Sequence, residues 1–246
     1  MTSQYCFVIP NYNHADVIES TITSLQSFQM QIILVDDGSN LATQTVLSAI
    51  DREFDNVVLI RREQNGGKGA AVDTGLKKAH ELGMTHALQV DADGQHDLSD
   101  VETLLAESRA FPNCLISGRP IYDDSISKGR YYGRFITHFW VWVETLSLQI
   151  KDSMCGFRVY PLDAYAQLAD KVSLGKRMDY DIEVMVRLYW QGLNVRFIAT
   201  KVHYPEGGIS HFNAWNDNWL ISKMHSKLFF GMLLRSPSLL LRHFNR

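Results

Sequence analysis

The sequence is short of cysteine, with three residues among 246. An odd, low count excludes a disulfide framework and points to a reducing compartment. It also lacks a surplus of either charge: 24 basic and 27 acidic residues leave a net charge of −3. That balance excludes a nucleic-acid binder held mainly by phosphate contacts, and no nucleic-acid partner is expected. No apolar run approaches the roughly 18 residues of a membrane span. The longest candidates, Phe135–Val143 and Leu228–Leu234, are much shorter. The first ten residues carry no basic n-region, so a secretory signal is not expected. There is no repeat, low-complexity segment or Pro/Gly/Ser-rich linker. These absences point to a cytoplasmic protein, soluble or peripheral. Several chemical signatures are missing as well. No His-Glu-x-x-His or Cys/His pattern suggests zinc, and no Gly-x-Ser-x-Gly elbow suggests a hydrolase.

What is present is an ordinary globular composition, 46% apolar and 21% charged, in a chain long enough for a large core. Short apolar runs at Tyr5–Ile9, Ile32–Val35, Val57–Ile60 and Leu88–Val90 read as strands. Helical patterns separate them at Ala15–Phe28, Ala42–Arg52 and Lys68–Leu82. Alternation of this kind predicts an α/β fold with a doubly wound, mainly parallel sheet and helices on both faces. In the second half, helices are expected over Lys128–Ile150, Asp181–Trp190 and Asn218–Leu234, with a strand at Val195–Ala199. No clean boundary divides the chain. We read residues 1–212 as one domain of two halves, 1–100 and 101–212, followed by a helical extension over 213–246.

Polar residues gather where the strands end, the edge at which open α/β sheets bind ligands. Asn11 and Asn13 follow the first run, Asp36 and Asp37 the second, Asp91 and Asp93 the fourth. In an extended segment Asp91 and Asp93 face one way, and Gln95 joins them if the chain stays extended past Gly94. Two carboxylates and an amide oxygen suit Mg²⁺ or Mn²⁺; a polar turn with Asp93 capping a helix is the alternative. Asn65-Gly66-Gly67-Lys68-Gly69 opens a helix and is neither a Walker loop nor Gly-x-Gly-x-x-Gly. It fits either close approach to an anion or a simple helix-capping turn. Arg119, Arg130 and Arg134 form a basic cluster suited to phosphate, or a solvated face. The acids at Asp179, Asp181 and Glu183 are explained by the helix dipole or by a catalytic carboxylate. Cys155 has no helper histidine at a telling spacing and reads as a buried or loop thiol.

Together these motifs resemble family 2 glycosyltransferases of the GT-A fold. The resemblance rests on Val8-Ile9-Pro10-Asn11-Tyr12-Asn13, Val35-Asp36-Asp37-Gly38-Ser39, Asn65-Gly66-Gly67-Lys68-Gly69 and Asp91-Ala92-Asp93-Gly94-Gln95-His96, in that order. Ser117-Gly118-Arg119, Gly156-Phe157-Arg158 and Asp181-Ile182-Glu183 extend it towards the dolichyl-phosphate mannose synthase branch. It implies an inverting transfer from a UDP- or GDP-sugar to a lipid- or carrier-linked acceptor, assisted by Mg²⁺ or Mn²⁺. On that likeness Pro10, Asn11, Tyr12, Asn13, Asp36, Asp37, Gly67, Lys68 and Ala92 line the donor site. Asp91, Asp93 and Gln95 bind the metal. Asp181 is the candidate base, with Asp152 or Asp179 as alternatives. Arg119, Arg130, Arg134 and Arg158 meet the acceptor side, and His211 faces phosphate. Gly94 and Asp97 depart from the branch, as does the segment from Tyr204 to Phe212.

The C-terminal stretch mixes Trp215, Trp219, Phe229 and Phe230 with Lys223, Lys227, Arg235, Arg242 and Arg246. It suits an interfacial helix on an anionic surface, on the inner face of the cytoplasmic membrane, or a helix packed on the domain. Two other functions fit parts of the pattern: a non-catalytic nucleotide-sugar binder and a nucleotidyltransferase. A homo-oligomer fits the sequence as a monomer does.

Overall fold

The computed structural model describes residues 3–121, 128–202 and 212–244, apart from the side chains of 128–131 and 243–244. Seven strands form one sheet: β1 (Tyr5–Asn11), β2 (Gln31–Asp36), β3 (Val57–Arg61), β4 (His86–Gln89), β5 (Cys114–Ile121), β6 (Arg158–Pro161) and β7 (Asn194–Lys201). Their order is β3-β2-β1-β4-β6-β5-β7. Only β6 runs against its neighbours β4 and β5, so the other strands share one direction. The helices are α1 (Ala15–Leu25), α2 (Leu41–Glu53), α3 (Lys68–Glu81), α4 (Val101–Ala110), α5 (Lys128–Thr145), α6 (Leu162–Ala169), α7 (Tyr180–Trp190) and α8 (Ala214–Phe244).

Strands buried on both faces explain the continuous apolar runs. Phe7, Ile9, Ile32 and Leu34 point into one core, which holds residues of α1, α2 and α4. Cys6, Val8, Ile33 and Val35 alternate into the other, with α3 and α5 to α8. Helix α7 is buried from Tyr180 through Tyr189 and so lies inside the domain rather than on it. Helix α8 contributes Met224, Leu228, Met232 and Leu239 to the same core.

Several boundaries differ from the sequence reading. Helix α1 stops at Leu25, because a 3₁₀ turn over Gln26–Phe28 ends in left-handed Gln29. Helix α5 stops at Thr145 instead of Ile150; Leu146 takes a positive φ of 49° and turns the chain. Helix α8 is longer than expected and continues through Pro237. Proline has no N–H to donate, so the Leu233 carbonyl loses its helical partner. The Ser236 hydroxyl donates to that carbonyl at 2.9 Å and lets the helix run on. Helices α4 and α6 and strand β5 were not assigned from sequence, since their short apolar patterns are weak.

Gly75 marks how closely α3 lies on the sheet. A Cβ there would stand 2.4 Å from Val8 Cγ1. We expect Gly75→Ala to destabilise the fold by about 1–3 kcal/mol, as overpacking does. Urea unfolding measures it, and an unchanged midpoint would show that α3 shifts freely.

Candidate active site

The shared direction of the strands brings their C-terminal ends to one edge. Because β6 is reversed, the loop that feeds it arrives at that edge too. At the end of β1, Asn11 is 1% exposed, yet neither atom of its amide has a hydrogen-bond partner among the described residues. A buried amide left unsatisfied is costly and suits a site completed by a ligand. Pro10 lies beside it in β1, and Tyr12 is half-buried in the turn. The next turns are laced together. Asn13, at a φ of 58°, accepts from Asn40 N at 2.8 Å and donates its N–H to Ser39 Oγ at 3.0 Å. Ser39 N in turn donates to buried Asp36 Oδ1 at 2.9 Å.

Asp37 differs from its sequence reading as a ligand contact. Its buried carboxylate accepts Gly66 N at 3.0 Å and Gly67 N at 2.8 Å, and stands 3.2 Å from Arg62 Nε. It holds the glycine loop instead. Gly67, at a φ of 96°, caps α3, and a Cβ there would lie 2.5 Å from Lys176 O. The loop is therefore fixed from both sides, and Lys68 leaves it in a defined direction.

That direction is into a pair of carboxylates. Lys68 Nζ lies 2.7 Å from Asp91 Oδ2 and 3.0 Å from Asp181 Oδ2. Burial opposes the ammonium charge, but Asp181 and Asp91 outweigh it and hold the lysine well above its ordinary pKa. Asp91 is likewise penalised by burial, yet Lys68 and His96 keep it ionised far below the usual carboxylate range. Gln89 Nε2 donates to Asp91 Oδ1 at 3.0 Å, and Tyr160 OH donates to Gln89 Oε1 at 3.2 Å. His96 Nε2 stands 3.3 Å from Asp91 Oδ2, with its ring stacked on Phe157. Gly156 closes the cluster: a Cβ there would meet Asp91 Oδ2 and Lys68 Nζ, each at 2.7 Å. Gln89, His96 and Gly156 were not picked out as site residues from sequence. Only their places beside the Asp91 motif and before Phe157-Arg158 hinted at a role.

The Asp91–Gln95 segment is not extended. Strand β4 ends at Gln89, and Gly94 turns the chain at a φ of 69°. Asp93 Oδ1 accepts the backbone N–H of Gln95 at 3.0 Å. Ala92 packs its methyl into the core instead of facing a ligand. Among the described residues, no three His, Cys, Asp or Glu side chains gather as a metal cage. The donor chemistry nevertheless fits a hard divalent cation. Asp91, Asp93 and Gln95 place two carboxylates and one amide on a single turn, and Asp91 is ionised.

The acceptor-side residues divide. Asp152, an alternative base, is spent. Its Oδ1 accepts Met154 N and Cys155 N, both at 2.8 Å, and its Oδ2 pairs with Arg134 and lies 3.7 Å from His138. Burial opposes its charge, but His138 and Arg134 hold the carboxyl far below the usual range. It is an anchor for the 152–156 loop, not a proton acceptor. Asp179 is buried and shifted upward by desolvation, and it accepts Arg177 N at 3.1 Å. Arg158 is fully buried and cannot reach an acceptor. It donates to Asp181 O at 2.6 Å and Ser153 O at 2.7 Å, tying the loop to the start of α7. Asp181 Oδ1, 4.0 Å from Arg158, is left without a hydrogen-bond partner among the described residues. Burial pushes the Cys155 thiol up to about 12, which makes it inert as a nucleophile. Arg119 is exposed at the end of β5. The Arg130 side chain and His211 lie outside the described residues. A hollow of about 180 Å³ touches Asp91, Gly94 and His96. A larger cleft of about 510 Å³ lies behind α3, against Arg62, Lys77 and the 169–176 loop, away from the Lys68 cluster.

The chain matches the description "Glycosyl transferase family 2" over residues 6–165. A UDP-N-acetylglucosamine–dolichyl-phosphate N-acetylglucosaminyltransferase of Methanococcus voltae is 28% identical over 219 residues, 81% of this chain and 85% of that protein. A dolichyl-phosphate β-glucosyltransferase of Dictyostelium discoideum is 26% identical over 84% of this chain, which spans 64% of that protein. Among solved structures, glucosyl-3-phosphoglycerate synthase of Mycobacterium tuberculosis, with Mn²⁺, UDP-glucose and phosphoglyceric acid, superposes with a TM-score of 0.66. The identity is 16%, over 94% of this chain and 79% of that one. A mannosyltransferase of Pyrobaculum calidifontis, with GDP-mannose and Mn²⁺, gives 0.60 at 15% identity, over 96% and 65%. The reversed strand, the laced strand-end turns and the matched span agree: this chain has the GT-A fold and belongs to glycosyl transferase family 2.

Proposed function

We propose that the chain transfers a sugar from a UDP- or GDP-sugar to a lipid-linked phosphate acceptor, inverting the anomeric carbon, with Mg²⁺ or Mn²⁺. The observation that carries this reading is Lys68 held between Asp91 and Asp181 at the strand edge. The names of two relatives, both dolichyl-phosphate sugar transferases, support the acceptor class. The UDP and GDP ligands of the structural neighbours support the donor class and leave its base open.

In the reaction an acceptor oxygen forms a bond to the anomeric carbon. The bond from that carbon to the diphosphate breaks, and its electron pair leaves on the diphosphate. Asn11 and Asp36 take the nucleoside, the first through its free amide. Asp91, Asp93 and Gln95 would hold the cation, which neutralises charge on the leaving group when bound. Lys68 is a fixed positive charge beside that turn. An arriving diphosphate competes with both carboxylates for it. Arg119 and Arg130 receive the acceptor phosphate, since Arg134 is engaged by Asp152. Asp181 holds Lys68 in place, and for a hydroxyl acceptor it would also take the proton.

A phosphate acceptor is already ionised and needs no base. We therefore expect Asp181→Asn to slow transfer to a prenyl phosphate by about tenfold or less, through loss of Lys68 alignment. A loss of roughly 10²–10⁴ on that substrate would overturn the base-free reading and give Asp181 a direct part in the transfer. The assay is radiolabel transfer from UDP-N-acetylglucosamine, UDP-glucose or GDP-mannose with Mn²⁺. Nucleotide-dependent thermal shifts without any transfer would identify a non-catalytic nucleotide-sugar binder.

The ion cluster also makes a stability prediction. Lys68→Met leaves buried Asp181 and part-buried Asp91 without their shared counter-charge and should cost about 3–5 kcal/mol in urea unfolding. Adding Asp91→Asn should recover part of that loss. Strict additivity of the two would mean that Lys68 and Asp91 are not coupled.

A further inference from the structure

Helices α5 and α8 carry large apolar side chains on the sides turned away from the domain. On α5, Phe135, Ile136 and Phe139 are exposed at helical spacing, with Trp140 at the edge of the stripe. On α8, Trp215, Trp219 and Phe230 are 91%, 68% and 66% exposed, and Leu234 and Leu241 continue the line. These residues lie opposite the Met224–Leu228–Met232 face that α8 buries. Helix α8 is therefore apolar on two sides, and only one has a partner in the domain. The two exposed stripes meet: Trp140 packs edge-on against Phe229 at 6.2 Å, and Phe229 against Phe230 at 5.8 Å.

The basic residues of α8 do not share this surface. Lys227 Nζ reaches back 3.0 Å to Glu183 on α7. Arg235 lies over the Trp190 ring at 4.8 Å. Arg242 donates to the carbonyls of Gly192 at 2.7 Å and Leu193 at 3.0 Å, beyond the end of α7. Among the described basic residues of α8, exposed Lys223 is the one on the same side as the aromatic stripe. Lys227, Arg235 and Arg242 are thus tied back to α7 and the turn after it, with Lys227 and Arg235 still exposed to solvent, while Trp215, Trp219 and Phe230 project outward.

We infer that the α5–α8 face docks on a lipid bilayer by burying its aromatic and aliphatic side chains in the interface, with little dependence on anionic lipid. Three observations select a bilayer as the occupant. Exposed indole and phenyl rings side by side on α5 and α8 suit the headgroup boundary, where one end of tryptophan is wet and the other apolar. The two relatives act on dolichyl phosphates, acceptors that reside in membranes. The α5 stripe, which begins by exposed Tyr132, flanks Arg134, whose partner Asp152 anchors the loop carrying Gly156 against Lys68. A lipid lying along α5 thus brings its phosphate to the active edge. Among the described residues no helix is long and apolar enough to cross a membrane, so the contact is interfacial. The inference rests on the lipid-phosphate acceptor proposed above.

The test is sedimentation of the full chain with phosphatidylcholine vesicles, and with vesicles containing phosphatidylglycerol, at low and high salt. We expect binding to both, changing by about threefold or less with salt or anionic lipid, since screening acts on charge and not on apolar burial. The triple variant Trp215→Ser, Trp219→Ser, Phe230→Ser should bind at least about tenfold more weakly. Its transfer to a water-soluble short-chain prenyl phosphate should match wild type, which also shows that it folds. Three results overturn the inference: binding only to anionic vesicles and lost at high salt, no binding at all, or a stable dimer in solution that the same substitutions dissociate. Failure of the wild type on the soluble acceptor would instead reject the proposed acceptor chemistry.

Discussion

Two carboxylates and one ammonium at the strand edge set the terms for the rest of this fold. Asp91 and Asp181 come from opposite halves of the chain, and each would repel the other if Lys68 were absent. Everything around them serves to keep the lysine where it is. Asp37 clamps the glycine loop from below and Lys176 backs it, so α3 begins at one place and in one direction. Arg158 gives up its fork to two carbonyls and thereby fixes the start of α7, where Asp181 sits. Even Gly156 is explained by this need, since any side chain there would occupy the ammonium's position.

The cluster also separates residues that look alike in sequence. Asp36, Asp37, Asp91, Asp152, Asp179 and Asp181 all stand near strand or helix ends. Asp37 and Asp152 are saturated by backbone N–H groups and arginines, and their work is structural. Asp181 keeps one oxygen without a hydrogen-bond partner, and Asn11 keeps a whole amide. Unsatisfied polar atoms inside a protein are expensive, and these two stand at the strand edge and beside Lys68.

Much of this was legible in the sequence for a specific reason. Strands β1, β2 and β4 are short apolar runs that stop at polar residues, so both the sheet and its active edge could be placed from Asn11, Asp36 and Asp91. What could not be read was pairing across distance. Nothing in the local pattern links Lys68 to Asp181, or tells Arg134 that its partner is Asp152 and not a phosphate. Arg158 carried a motif and was taken as a ligand contact, because burial depends on the strands either side of it. The same limit applied to α8. Its mixture of rings and cations was plain, but which of them face water is decided by α5 and α7. The expected helix ended at Leu234, short of Pro237, and its continuation requires knowing that the Ser236 hydroxyl reaches the Leu233 carbonyl.

The reversed strand β6 has a consequence for how the site comes into being. It returns the chain to the active edge late, after most of the sheet has been laid down, and α7 follows it. A fragment ending near residue 100 would own Lys68 and Asp91 but neither Gly156 nor Asp181. The complementary fragment would hold Asp181 without the lysine, leaving Arg158, 4.0 Å away, as its cation. Neither piece would contain half a site; each would lack a partner that only the other can supply. Assembly of the ion cluster therefore requires the two halves to meet, because the contact of Lys68 with Asp181 spans distant parts of the chain and not a local turn.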